Sequence, residues 1–80
     1  MKITVLCFGI ATDLIKKSSL ELTLPENCTV TSFKKLLTTQ YPELANISAY
    51  AVAINEQYAQ ENDTIKENDV IAIIPPVSGG

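Results

Sequence analysis

Five consecutive apolar residues, Val70-Ile71-Ala72-Ile73-Ile74, run directly into Pro75-Pro76, and this junction restricts the fold more than any other feature of the chain. The run is too short for an ordinary helix and apolar on both faces, so it reads as a buried central strand. Two prolines in a row donate no ladder hydrogen bonds and hold the backbone near polyproline II. The sheet is therefore expected to end at Ile74, with Pro75-Pro76-Val77-Ser78-Gly79-Gly80 projecting as an arm. The boundaries expected from this are a folded domain over 1–74 and an extended tail over 75–80.

The other elements are arranged around that strand. Lys2 to Phe8 alternates, with Ile3, Val5 and Cys7 on one face and Thr4, Leu6 and Phe8 on the other, in the β-branched and aromatic company of a strand. Gly9 interrupts it. Ile10 to Lys17 can form a short helical turn with Ala11, Leu14 and Ile15 inward. Leu20, Leu22 and Leu24 then alternate with Glu21 and Thr23 as a half-exposed strand ended by Pro25. Thr29 or Thr31 can cap the next segment, where Val30, Phe33, Leu36 and Leu37 recur at helical spacing with Thr31, Lys34, Lys35 and Thr38 toward water, up to Pro42. Ala51 to Ile54 and Gln57 to Ala59 read as a hairpin about Asn55-Glu56, and Lys66 to Asp69 as a turn in which Asn68 can adopt left-handed geometry. With the first and last strands side by side at the centre, this order is that of an α+β β-grasp, or ubiquitin-like, fold: a mixed sheet packed on one main helix, with a flexible Gly-Gly tail. Ile71 and Ile73 are expected toward the core. Ala72 and Ile74 then lie beside Leu6 and Phe8 on the opposite face, which would either dock a partner or lie beneath a loop of the same domain.

Composition limits the function. At 80 residues there is room for one domain, and 46% hydrophobic with 19% charged residues puts the chain among folded rather than disordered sequences. A net charge of −3 with no arginine argues against nucleic acid, whose phosphates call for a basic face. No apolar run approaches the roughly 18 residues of a membrane span, and no signal-peptide pattern opens the chain, so a cytoplasmic protein with no membrane partner is expected. Cys7 reads as a small buried hydrophobe and Cys28 as a partly exposed thiol in a turn. With no histidine and no CxxC spacing, metal binding is not expected. The same lack leaves no acid, base and nucleophile to assemble, so catalysis would belong to a partner. Lys34 and Lys35 read as plain helix surface.

The tail holds the chemistry. Gly79 and Gly80 have no side chains and can thread a channel too narrow for other residues, bringing the Gly80 carboxylate to a foreign active site. A carboxylate is a poor electrophile, so activation has to come first. Adenylation with ATP supplies the leaving group, and a sulfur nucleophile such as an enzyme persulfide can displace AMP to leave a thiocarboxylate, ionised and nucleophilic at neutral pH. A Gly-Gly ending is commonplace by itself. Its weight comes from following two prolines and a buried strand.

These residues carry a resemblance. Ile74-Pro75-Pro76-Val77-Ser78-Gly79-Gly80, the segment Val52-Ala53-Ile54-Asn55 before a polar turn and, more loosely, the opening strand through Phe8-Gly9 are similar to the MoaD/ThiS-like β-grasp family, in particular the small, sulfur-carrier subunits of molybdopterin synthase. The resemblance implies that Gly80 is adenylated and thiocarboxylated, with Gly79 beside it, and then gives its sulfur to cyclic pyranopterin monophosphate in forming molybdopterin. It further implies a large synthase subunit that holds the catalytic residues and completes a heterotetramer. A ubiquitin-activating-like adenylyltransferase would spend the ATP, and a cysteine desulfurase or rhodanese would give the sulfur. No cofactor is expected on the chain. The expected partner contacts are Leu6, Phe8, Ala72, Ile74, Pro75, Pro76, Val77 and Ser78. Two departures stand out: Ile10-Ala11-Thr12-Asp13-Leu14 lacks an arginine often found there, and Glu67-Asn68-Asp69 replaces an Asp-Gly-Asp-like turn. A carrier for thiamine thiazole or thionucleoside synthesis, a ubiquitin-like modifier conjugated through Gly80, and a plain β-grasp interaction module remain as alternatives.

Overall fold

A computed structural model of the chain describes residues 1–47 and 49–76. Strand β1 (Lys2–Cys7) leads into helix α1 (Ile10–Ile15) and strand β2 (Ser19–Thr23). Helix α2 (Val30–Gln40), a 3₁₀ turn over Pro42–Asn46, strands β3 (Ala51–Ile54) and β4 (Gln57–Tyr58) and strand β5 (Val70–Ile74) follow. The strands form one mixed sheet in the order β2-β1-β5-β3-β4. The apolar run 70–74 is thus the middle strand, parallel to β1 with Val5 opposite Ile71 and Cys7 opposite Ile73, and antiparallel to β3 with Val52 opposite Ile73.

This register divides the sheet into two faces. Ile3, Val5, Cys7, Leu20, Leu22, Val52, Ile71 and Ile73 are buried on one, and the helices cover it with Ala11, Ile15, Val30, Phe33 and Leu37. Burying side chains of this size stabilises by about 1.5–3 kcal/mol each before the entropy of ordering them. The core is therefore a single layer between sheet and helices. Among the described residues no helix is long and apolar enough to cross a membrane.

Two positions differ from the sequence reading. Leu36, expected inward, is 40% exposed. Val30, Phe33 and Leu37 define the buried stripe of α2, and at about 100° per residue Leu36 falls about 90° to one side of its centre. Cys28, expected to be partly exposed, is only 3% exposed. The segment after β4 closes over it: Ile65 N–H donates to the Cys28 carbonyl at 2.8 Å, and Thr29 bridges to Thr64. Burial pushes the Cys28 thiol pKa up, as it does for Cys7. Of the two proposed caps, Thr29 fills the position, its extended backbone letting the side chain accept the Ser32 N–H at 3.3 Å. Thr31 instead donates to the Glu61 carboxylate at 2.8 Å.

Candidate functional site at the tail root

The sheet face away from the helices is built by the same alternation that builds the core. Leu6 pairs with Ala72, Ala53 with Ala72 and Tyr58, and Ala51 with Ile74, so these side chains share the open face. Leu6, Ala72 and Ile74 are half-buried, and Phe8, one residue beyond β1, is 49% exposed. Among the described residues no loop of the domain covers Phe8, which removes that alternative for it. Toward β2 the face turns polar, with Thr4 opposite Glu21 and Lys2 opposite Thr23. Apart from Val70 at the start of β5, which is 38% exposed, the apolar part gathers toward the end at which β5 leaves the sheet.

Sequence reasoning missed two contributors to this end. Tyr58 is 75% exposed on the open face, and Ile10 stands exposed next to the Phe8-Gly9 turn. The hairpin could have pointed to Tyr58. A two-residue turn puts it opposite Ala53, and Asn55 and Glu56 do have the positive φ values, 51° and 73°, that such a turn requires. Between the two tyrosines and the chain exit lies an open groove of about 330 Å³, lined by Tyr50, Ala51, Tyr58, Ile74, Pro75 and Pro76. Pro75 is buried and Pro76 is exposed. Val77, Ser78, Gly79 and Gly80, expected to form the reactive arm, lie outside the described residues.

Polar contacts hold the framework of the groove. Lys34 pairs with Glu61 at 3.0 Å and stands 5.3 Å above the Tyr50 ring, so this lysine is more than the plain helix surface expected of it, whereas Lys35 is exposed. Its ammonium, then Thr31, hold the Glu61 carboxyl below the usual range. The Tyr50 hydroxyl is buried without a hydrogen bond. Burial raises its pKa, and the Thr38 hydroxyl, near but outside hydrogen-bond geometry, offsets part of the rise. At the hairpin, Asn55 accepts the Val70 N–H at 2.9 Å and donates to Asp69 at 2.9 Å, which ties the turn to the start of β5. Asn68, with φ 68°, supplies the left-handed residue of the turn before that strand. Among the described residues no cluster of three histidines, cysteines or carboxylates could hold a metal.

A mixed sheet with β1 and β5 parallel at its centre, one main helix across it and a chain exit beside an apolar face defines a ubiquitin-like β-grasp protein. The chain belongs to the ThiS family, whose model matches residues 5–80. It is 33% identical over 81 residues to the molybdopterin synthase sulfur carrier subunit of Arabidopsis thaliana, covering 100% of this chain and 84% of that one. The small archaeal modifier protein SAMP1 of Haloferax volcanii has the same fold, with a TM-score of 0.88 at 19% identity and full coverage of both chains. A chain in the complex of subunits 1 and 2 of molybdopterin-converting factor from Helicobacter pylori aligns at a TM-score of 0.71 and 26% identity, again covering 100% of both.

Proposed function

We propose that this protein is the sulfur-carrier subunit of a molybdopterin synthase. The observation that carries the reading is the similarity, over the whole of this chain and 84% of the relative, to a sulfur carrier subunit of that enzyme, within a family match that includes the glycine pair 79–80. Gly80 is adenylated with ATP, releasing pyrophosphate. A persulfide attacks the acyl adenylate and expels AMP, and a second thiol cleaves the resulting acyl disulfide to free the thiocarboxylate and leave a disulfide behind. The carrier is then the cosubstrate of a large subunit, which contributes the catalytic side chains. The Helicobacter pylori complex of subunits 1 and 2 supports such a pairing. The apolar open face formed by Leu6, Phe8, Ala72 and Ile74 supports docking beside the tail.

The likeness to an archaeal modifier protein bears on the fold and leaves the fate of Gly80 to experiment. Intact mass after incubation with the cognate activating enzyme, ATP and a sulfur donor should rise by about 16 Da, one oxygen exchanged for sulfur. Conjugates to lysine with no such species would overturn the carrier reading in favour of a modifier. Deleting Gly80 should abolish loading and leave the thermal transition in place.

A further inference from the structure

The residue at which the arm begins has a neighbour that the strand pattern does not reveal. Pro75 follows the last residue of β5, yet it is buried while Pro76 is exposed. Its Cγ lies 4.0 Å from the point where a Cβ on Gly9 would stand, and among the described residues it is the only heavy atom that close to that point outside Gly9 and its chain neighbours. Gly9 has φ 56° and ψ −135°, a conformation open to glycine and strained for other residues. The turn is held from behind by Ala11 N–H on the Phe8 carbonyl and Thr12 N–H on the Gly9 carbonyl, both at 3.1 Å. On the other side, Ile74 is paired with Ala51. The proline ring therefore lies beside a hydrogen-bonded turn at the end of the sheet.

We propose that Gly9 and Pro75 form a clamp that fixes the direction in which the arm leaves the domain, making them positioning residues for the delivery of the Gly80 carboxyl group. This rests on the carrier reading above. Neither residue touches the reacting atoms. The arm proper then starts at Pro76, and five extended residues reach at most about 18 Å. With so short a tether, a change in its starting direction moves the terminal group away from its acceptor by far more than the ångström or so that already costs a transfer reaction up to about a hundredfold. The effect belongs to the transfer step, which measurement at saturation separates from docking, where Pro75 is itself an expected contact.

The test uses carriers loaded chemically, by sulfide cleavage of a thioester at Gly80, so that the activating enzyme plays no part. Pro75→Ala loosens the clamp from the arm side, and Gly9→Ala strains it from the turn side without touching the arm. Each is mixed with the cognate large subunit at saturation, and single-turnover sulfur transfer is measured beside the dissociation constant of the complex and the thermal midpoint. The expected result for both is a transfer rate at saturation lower by about ten- to a hundredfold, with affinity within about threefold of the unaltered carrier for Gly9→Ala, which leaves the arm intact. A second readout needs no activity. A nitroxide on Ser78→Cys should broaden amide signals over a restricted part of the unaltered domain and over a wider surface in either variant.

Transfer at the original rate in the variant that folds, or a loss of rate fully explained by weaker binding, overturns the clamp. So does an unchanged broadening pattern. If the unaltered loaded carrier passes no sulfur to the large subunit, the carrier reading fails and the broadening pattern alone decides the clamp. Should Pro75→Ala not fold, Gly9→Ala decides.

Discussion

Asn55 shows how one side chain can tie together two elements that are distant in sequence. It occupies the left-handed first position of the β3–β4 turn and spends both ends of its amide on the start of β5. Asn55→Ala removes both bonds and puts a less tolerant residue at positive φ, and should cost about 1–3 kcal/mol in urea unfolding, with the midpoint shifted and the slope retained. Its position after Val52-Ala53-Ile54 was legible as a turn, but its hold on Val70 and Asp69 was not, because hydrogen bonding across 14 and 15 positions depends on strand order. The thiols give a second residue-scale prediction. Cys7 and Cys28 are buried, and Tyr50 is half-buried with its hydroxyl enclosed. All three have pKa values raised by that burial. A raised folded value means that unfolding releases protons at high pH, so stability is held below the unfolded thiol value and falls as pH climbs through 9.0 and then 10.0. Denaturant titrations across the alkaline range should show this decline, and a thiol reagent at neutral pH should label the native protein far more slowly than the unfolded chain. Rapid labelling of Cys28 in native conditions would contradict its burial.

At the scale of the element, α2 separates periodicity from packing. Val30, Phe33, Leu36 and Leu37 all satisfy helical spacing, yet the sheet accepts a stripe made by three of them. Phe33→Ala should cost about 3–5 kcal/mol, since the ring is fully enclosed and its loss leaves a cavity. Leu36→Ala should cost well under half as much, and calorimetry on the two variants distinguishes them. Thr29→Ala should cost about 1 kcal/mol by leaving the Ser32 N–H without its cap. The open face shows the converse limit. Alternation placed Leu6 beside Ala72 correctly from the sequence, whereas Tyr58 joined the face only once pairing with Ala53 brought β4 to the edge of the sheet.

On the scale of the whole molecule, the apolar end of the open face and the chain exit lie together. Phe8 is the residue through which to test that arrangement, because it is half-exposed and contributes little to the core. Phe8→Asp should leave the thermal midpoint within a few degrees, since surface substitutions seldom exceed about 0.5 kcal/mol, and should weaken binding to the large subunit by at least about tenfold as measured by calorimetric titration. Unfolding of the variant, or undiminished binding, would remove Phe8 from the docking surface. The glycine pair, the prolines before it and the apolar run 70–74 were all plain in the sequence, because composition and short-range periodicity are local properties and a five-residue apolar strand has few places to go. Tertiary structure alone decided that Cys28 is covered, that Leu36 is not, that Tyr58 shares a face with Ile74, and that Pro75 belongs with Gly9. Each of those depends on which distant segments meet, and that is set by the pairing of β1 with β5 and of β3 with both β5 and β4.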